Sequence, residues 1–294
     1  MKRFFLYLVI FILSASYIHA DEGFYGFGQA QTDSSNFSLP RLRVGFKTNS
    51  QYGWQGISVK YDTYADFVNG EFQLGFANAV FSTSIIWLPK LHVGRTLDPA
   101  TYQFPSPFLL PIIGYPSTAF NIPCGNGIFL EEIYDKWWAM AGLTNGSGEF
   151  KDNNKSLDLT SRVTRDLAYG FNLGAIYRTG EQPDGLRRIA GVDFSWSSGS
   201  KVSVFDSIWV NCGYNKIDHI DQKQGWWIMS TIDFSKYVQM AGLYQRLKVN
   251  DIDYQDGWTV GLNLFITKST VIRFDYIKPV AEDECWKILF QQIF

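Results

Sequence analysis

Apolar and polar residues alternate along most of the chain. In the segment 39–47, Leu42, Val44 and Phe46 fall on one side and basic residues fall on the other. A period of two indicates β-strands. Because the segments are roughly ten residues long, the pattern predicts a transmembrane antiparallel β-barrel. The other segments with this alternation are 56–62, 168–178, 257–267, 271–277 and 285–294.

Aromatic residues lie near the ends of these segments, which is typical of the two interfacial girdles of a membrane barrel. Segment 285–294 taken alone is also compatible with the last strand of a soluble sandwich. In a sandwich, however, we expect the apolar residues to favour strand centres. The aromatic residues at segment ends are Trp54, Tyr61, Tyr169, Tyr177, Trp226, Tyr237, Trp258, Tyr276 and Trp286.

The connections differ in character along the chain. Tight turns are predicted at 49–53, 134–137, 165–169, 197–201, 233–237 and 266–270, and longer polar links at 145–156, 179–186 and 215–224. Short turns on one side and longer loops on the other are typical of outer-membrane barrels. We therefore predict about 16 strands, with both termini at the periplasmic end. The strand count is least defined at 64–95 and 201–212, which alternate poorly.

The N-terminal segment has the features of a secretory signal peptide. Lys2 and Arg3 precede an apolar run that ends at Leu13, and Ala20 is a small residue before an acidic stretch. This order of charge, apolar core and small residue predicts cleavage after export. We therefore expect a signal peptide at 1–20 and a barrel at 21–294.

One connection, residues 96–127, is long and partly apolar. Its six prolines exclude a central strand. A loop of this length is usually functional or disordered, and the apolar content argues against disorder. We interpret it as a constriction loop that folds into the barrel; the alternative is a loop packed over the outer mouth. Its candidate residues are Thr96, Asp98, Tyr102, Phe108, Tyr115 and Asn121.

Basic residues occupy positions predicted to face the lumen. Because the last strands of a closed barrel neighbour the first, several of them fall on one contiguous wall, which would attract anions. The alternative is that they pair with Asp62, Asp158, Asp193 or Asp275 and only stiffen the wall. The predicted pore-lining basic residues are Arg41, Arg43, Lys47, Lys60, Arg162, Arg178, Arg273 and Lys287.

Composition and motifs give little sign of catalysis. The chain has 24 Phe, 16 Tyr and 10 Trp, a net charge of −2 and three Cys. The near-neutral charge gives no indication of a nucleic-acid partner. The three histidines, His19, His92 and His219, show no telling spacing to a serine, and no His/Cys cluster has metal-ligand spacing. We expect no catalytic residue, metal or cofactor, although distant strands can assemble a triad.

The chain resembles a known family in three stretches. Residues 40–62 are similar to the second and third strands of the phosphate-selective porin O and P family, and 91–104 and 137–149 resemble its constriction region. Arg95 and 142–148 match best. The resemblance implies a 16-stranded barrel, usually homotrimeric, that passes small anions. One departure is that residues 96–127 contain no Lys or Arg, whereas selective members rely on lysines there.

Together these features predict a porin in the bacterial outer membrane, a passive channel for small hydrophilic solutes with a modest anion preference. Its expected partners are outer-membrane lipids, small anions or other solutes, and further copies in a homotrimer. The terminal Phe294 is expected to act as an assembly signal, read by the barrel assembly machinery. The alternatives are an adhesive or structural barrel with a plugged lumen and, third, an outer-membrane hydrolase.

Overall fold

The structure is a computed structural model that describes residues 23–33, 37–52, 57–68, 71–83, 89–96, 98–100, 125–145, 156–182, 185–199, 205–219, 222–250, 252–267, 269–280 and 283–293. These residues form sixteen strands: β1 (Gly23–Asp33), β2 (Phe37–Tyr52), β3 (Ile57–Val68), β4 (Glu71–Thr83), β5 (Lys90–Thr96), β6 (Gly125–Tyr134), β7 (Trp137–Thr144), β8 (Asp158–Asp166), β9 (Phe171–Gln182), β10 (Gly185–Ser197), β11 (Ser207–Asp218), β12 (Lys223–Ser235), β13 (Val238–Val249), β14 (Gln255–Thr267), β15 (Thr270–Lys278) and β16 (Cys285–Ile293). A 3₁₀ turn spans Ala168–Gly170. No helix in the described part of the chain is long and apolar enough to cross a membrane.

The strands form one closed antiparallel barrel. Each strand pairs with its neighbours in sequence, and β1 pairs with β16 with Phe27 opposite Ile293. The start of β1 and the end of β16 therefore lie at one end, here named the terminal rim. The opposite end, where β5 ends and β6 begins, is named the loop rim. The predicted transmembrane barrel of about 16 strands is confirmed in architecture.

Three predicted connections are wrong in length. The expected long link at 215–224 is mostly strand, because β11 continues to Asp218 and β12 starts at Lys223, so only four residues separate them. The expected long link at 179–186 is mostly strand, because β9 continues to Gln182 and Leu186 pairs with Glu181. Gly185 has a φ of 131°, a conformation that glycine adopts readily, so the chain reverses tightly there. The expected tight turn at 197–201 begins a longer connection, because β10 ends at Ser197 and β11 starts at Ser207.

Side chains alternate between an apolar outer face and a more polar inner face. On β15, Arg273 and Asp275 are buried inside, whereas the intervening Phe274 is partly exposed outside. The outer face exposes large apolar residues such as Val260 and Ile228. This arrangement suits a barrel surrounded by lipid, in which closure leaves no unpaired strand edge.

Aromatic rings form a row on the outer face near the loop rim. The ring centroids of Trp226 and Tyr244 are 5.2 Å apart, and those of Tyr276 and Trp286 are 4.6 Å apart. Trp258 lies 5.1 Å from Tyr276, so the row continues across β12 to β16. Tyr169 and Tyr237 are exposed at the terminal rim. Trp54 lies outside the described residues.

Candidate functional site

The chain leaving β5 turns into the barrel at the loop rim. Asp98 and Ala100 are fully buried. Oδ2 of Asp98 accepts a hydrogen bond from Nη1 of Arg178 at 2.9 Å, and Oδ1 accepts one from the Thr160 hydroxyl at 2.6 Å. The Ala100 amide also donates to Oδ1 of Asp98 at 2.9 Å. Since Thr160 is on β8 and Arg178 on β9, this segment crosses the inner faces of β6 and β7.

Arg178 is shared between two carboxylates. Its Nε donates to Oδ2 of Asp158 at 2.9 Å, and Arg187 lies 3.5 Å from the same oxygen. We name Asp98, Asp158, Thr160, Arg178 and Arg187 the anchor cluster. Burial raises the pKa of the Asp98 carboxyl above its usual range, although the Arg178 guanidinium opposes that rise. With both carboxylates ionised, two positive and two negative charges balance within the cluster.

A second buried ion pair lies further from the loop rim. Nη2 of Arg162 on β8 donates to both oxygens of Asp193 on β10, at 2.8 and 2.9 Å. Both carboxylate oxygens thus share one guanidinium nitrogen in a charge-assisted contact. The predicted pore-lining residues Arg162 and Arg178 thus face inward and are paired with carboxylates, as in the alternative interpretation of the sequence.

The other predicted basic residues lie on the opposite side. Arg273 is buried on the inner face of β15, and Lys287 on β16 is the register partner of Asp275. Arg41 and Arg43 are register partners of Gln29 and Phe27 on β1. β1 lies eight strands from β9 in both directions around the sixteen-stranded barrel. The side chains of Arg41, Arg43, Lys47 and Lys60 lie outside the described part of the structure.

Of the remaining predicted loop and terminal positions, two lie within the described residues and the others lie outside them. Thr96 is the last residue of β5, and Asp98 is in the anchor cluster. The positions outside the described residues are Tyr102, Phe108, Tyr115, Asn121, Phe294 and the signal segment 1–20.

An apolar cluster inside the barrel was not predicted from the sequence. Ala100 packs in a cluster with residues on β9, β10, β12 and β13. Trp227 has no exposed surface, and its ring nitrogen donates to Asn211 at 3.0 Å. The run 226–229 is apolar on both faces of β12, so alternation gave no signal for which side chains point inward. The other members are Ile176, Ile189, Met229, Ala241 and Leu243.

A serine, a histidine and a glutamate are hydrogen-bonded in a row near the terminal rim. The Ser82 hydroxyl lies 2.7 Å from Nδ1 of His92, and Nε2 of His92 lies 2.8 Å from Glu131. Trp138 donates to the same carboxylate at 2.8 Å. Ser82 and His92 are direct register partners on β4 and β5, and Ser82 is only 1% exposed. The row resembles a catalytic relay, but its hydroxyl is covered and fits a cross-strand wall contact.

The sequence analysis missed this row because segment 64–95 alternates poorly, so the register of Ser82 against His92 was not readable. Within the described part of the chain, no group of three or more His, Cys, Asp or Glu side chains is placed to hold a metal ion.

Comparison with known proteins supports the fold. No protein-family model matches the chain, and no curated protein matches it by sequence. Among solved structures, OmpT of Vibrio cholerae in a trimer form is similar with a TM-score of 0.67 at 10% identity, covering 92% of this chain and 98% of that one.

Two further structures are similar over nearly their whole length. OmpF of Salmonella typhi in complex with daunomycin has a TM-score of 0.66 at 10% identity, covering 94% of this chain and 99% of that one. An anion-selective porin from Comamonas acidovorans has a TM-score of 0.64 at 12% identity, covering 92% and 98%. The barrel therefore has the fold of outer-membrane porins, which agrees with the outer-membrane location expected from the sequence.

Proposed function

We propose that this chain forms a passive channel in the bacterial outer membrane through which small hydrophilic solutes diffuse. The observation that carries the proposal is the anchor cluster, which fixes the chain beyond β5 to the inner wall of β8 and β9. In this proposal the segment between the anchor cluster and β6 narrows the lumen without closing it. The predicted bounds of 96–127 are too wide, because Thr96 ends β5 and residues 125–127 belong to β6. In this account the constriction is formed by residues 97–124, which leaves the passage beside the wall of β15, β16 and β1 to β3.

The channel is proposed to have a modest preference for anions. The anchor cluster and the Arg162–Asp193 pair balance their charges, so their arginines add little to the field in the lumen. Arg41 and Lys60, which have no carboxylate as a register partner, then carry the preference together with Arg43, Lys47 and Lys287. The last three lie opposite Asp66, Asp62 and Asp275, which is why the proposed preference is modest. One structural neighbour is described as an anion-selective porin. Because residues 96–127 contain no Lys or Arg, we propose a general anion preference, with membership of the phosphate-selective family as a hypothesis.

The proposed assembly is a homotrimer embedded in outer-membrane lipid. The exposed apolar residues of the outer face and the aromatic row supply the lipid contact. One neighbour is described in a trimer form, which supports the proposed oligomer. Residues 1–20 are proposed to direct export, and Phe294 is proposed to be read by the barrel assembly machinery. No catalytic role is proposed.

A liposome-swelling assay tests the channel proposal. Liposomes containing the folded barrel are diluted into isotonic solutions of sugars of increasing size and of small anions. We expect swelling that slows with solute size. Swelling no faster than that of protein-free liposomes, from protein verified as folded, would contradict the proposal.

The second candidate is a structural or adhesive barrel with a plugged lumen. The inner apolar cluster favours it, because Trp227 and Met229 face inward and have no exposed surface. In this alternative the lumen on the opposite side is also filled, and the same swelling assay gives no solute entry. The two candidates differ at the wall formed by β15, β16 and β1 to β3, which faces water in the channel and packed side chains in the plugged barrel.

A further inference from the structure

Two ion pairs inside the barrel join strands that are not hydrogen-bonded to each other. Arg162 and Asp193 link β8 to β10, and Asp158 and Arg187 link the same two strands nearer the loop rim. β9 lies between them. Because neighbouring strands are about 4.8 Å apart, each pair must extend across β9 on its inner face.

Glycine occupies β9 beneath each pair. A methyl group on Gly174 would lie 2.6 Å from Oδ2 of Asp193 and 2.8 Å from Nη2 of Arg162. On Gly180 it would overlap the carboxylate of Asp158. Gly174 is the register partner of Asp193, and Gly180 is the register partner of Arg187. The two positions are therefore filled by charged side chains of the adjacent strands.

The pair above Gly180 is continuous with the loop anchor. The Asp158 carboxylate that occupies this space also accepts from Nε of Arg178, whose Nη1 holds Asp98. The side chains of Asp98, Asp158 and Arg178 are almost fully buried. A displacement of Asp158 therefore moves Arg178, and through it the first part of the segment between β5 and β6.

We infer that Gly180 is a positioning residue for the constriction: its missing side chain admits Asp158, which orients Arg178 to hold Asp98. Gly174 has the same relationship to the Arg162–Asp193 pair but is not connected to Asp98 in the described residues. The expected effect of Gly180 on conduction rests on the proposed channel function. Its effect on the anchor cluster does not, because the opening of that cluster can be measured without recording a current.

The first test measures the anchor directly. Ala100 is fully buried beside Asp98. The test places a cysteine there (Ala100→Cys) in a chain whose three native cysteines are replaced by serine. This cysteine reacts with a thiol reagent only when the anchor cluster opens. We expect Gly180→Ala to speed labelling by about tenfold or more, as for a site that opens locally. Gly242→Ala is the matched control, since a methyl group there has its nearest neighbours at 3.9 Å. Equal labelling rates in the two variants would overturn the inference.

The second test measures conduction in planar bilayers without the introduced cysteine. We expect Gly180→Ala to change the single-channel conductance and add current noise, and Gly242→Ala to match the wild type. A Gly180→Ala channel identical to the wild type would also overturn the inference, whereas a silent wild-type barrel would contradict the proposed function instead. If Gly180→Ala does not fold, Arg187→Gln, which removes the partner on β10 without adding volume, takes its place in both tests with the same expected direction.

Discussion

Arg178 holds Asp98 at 2.9 Å although the two residues are 80 positions apart in the chain. Asp98 follows β5, and Arg178 lies in the half of β9 that is nearer the loop rim, so the ion pair connects two parts of the barrel that share no backbone hydrogen bond. Both side chains are almost completely buried. A buried pair of this kind constrains where the segment between β5 and β6 runs.

Replacing Asp98 with alanine should loosen that segment. The change removes the hydrogen bond from the charged Arg178 guanidinium to Asp98, for an expected cost of about 1.5–3 kcal/mol in the free energy of unfolding. Urea titration of the barrel in lipid vesicles measures the cost, and bilayer recordings should show noisier currents. Asp256→Ala is the control, because the Arg246–Asp256 pair is more than 40% exposed on each side and should cost about 1 kcal/mol or less. Equal costs for both changes would contradict the claim that Asp98 anchors the segment after β5.

Changing Arg41 and Arg43 together to glutamine should shift the reversal potential under a KCl gradient toward cations. Both residues alternate on β2 with the exposed Val44 and Phe46, so their positions belong to the inner face. Loss of two positive charges there weakens the local attraction for anions. Lys236→Gln, at the exposed turn between β12 and β13, should leave the reversal potential unchanged. An unchanged ion preference in the double variant would show that the arginines do not set it.

Replacing Trp286 with alanine should destabilise the barrel in lipid. Its ring packs 4.6 Å from Tyr276 in the aromatic row near the loop rim. An aromatic pair contributes about 0.5–1.5 kcal/mol beyond the area it buries. Urea titration in vesicles should therefore show a lower midpoint for Trp286→Ala and a smaller change for Trp286→Phe. A Trp286→Ala barrel as stable as Trp286→Phe would argue against a role for the row.

Ser82 should not react with a fluorophosphonate probe. Its hydroxyl is bonded to His92 and lacks access, since only 1% of the residue is exposed. Mass spectrometry of the folded barrel after exposure to the probe measures labelling, with the Ser82→Ala variant as the control. Labelling that disappears in this variant would identify a nucleophile and revive the hydrolase hypothesis.

Deleting Phe294 should impair assembly. β16 closes the barrel by pairing with β1 up to Ile293, and the terminal residue is expected to be read by the assembly machinery. Unfolded protein should then accumulate in the periplasm, as measured by loss of the heat-modifiable band. Phe294→Tyr, which keeps the aromatic ring, should assemble normally. Normal surface levels of the deletion variant would show that the terminus carries no signal.

Much of the fold was predictable because a strand has a period of two and a barrel closes on itself. Arg162, Arg178 and Arg273 are buried at positions that the alternation assigns to the inner face, and their role in lining a pore stays a prediction. The same rule did not work for Trp227, because both faces of β12 are apolar in that run.

The contacts inside the barrel were not predictable from alternation. Arg178 meets Asp98 because the segment after β5 turns into the lumen. The two-residue period of a strand gives no information about the path of such a segment. The pairs across β9 depend on Gly174 and Gly180, because a side chain at either position would occupy the space that the paired charged groups fill. In the sequence these glycines look like ordinary small residues in a strand.

Single-channel recording in planar lipid bilayers tests the central claim most directly. The wild-type barrel, verified as folded by heat-modifiability, is reconstituted at low density, and its current is recorded under a KCl gradient. The account predicts discrete, long-lived conductance steps and a reversal potential displaced modestly toward that of chloride. Folded protein that inserts without any conductance, or a channel whose reversal potential lies on the potassium side, would contradict it.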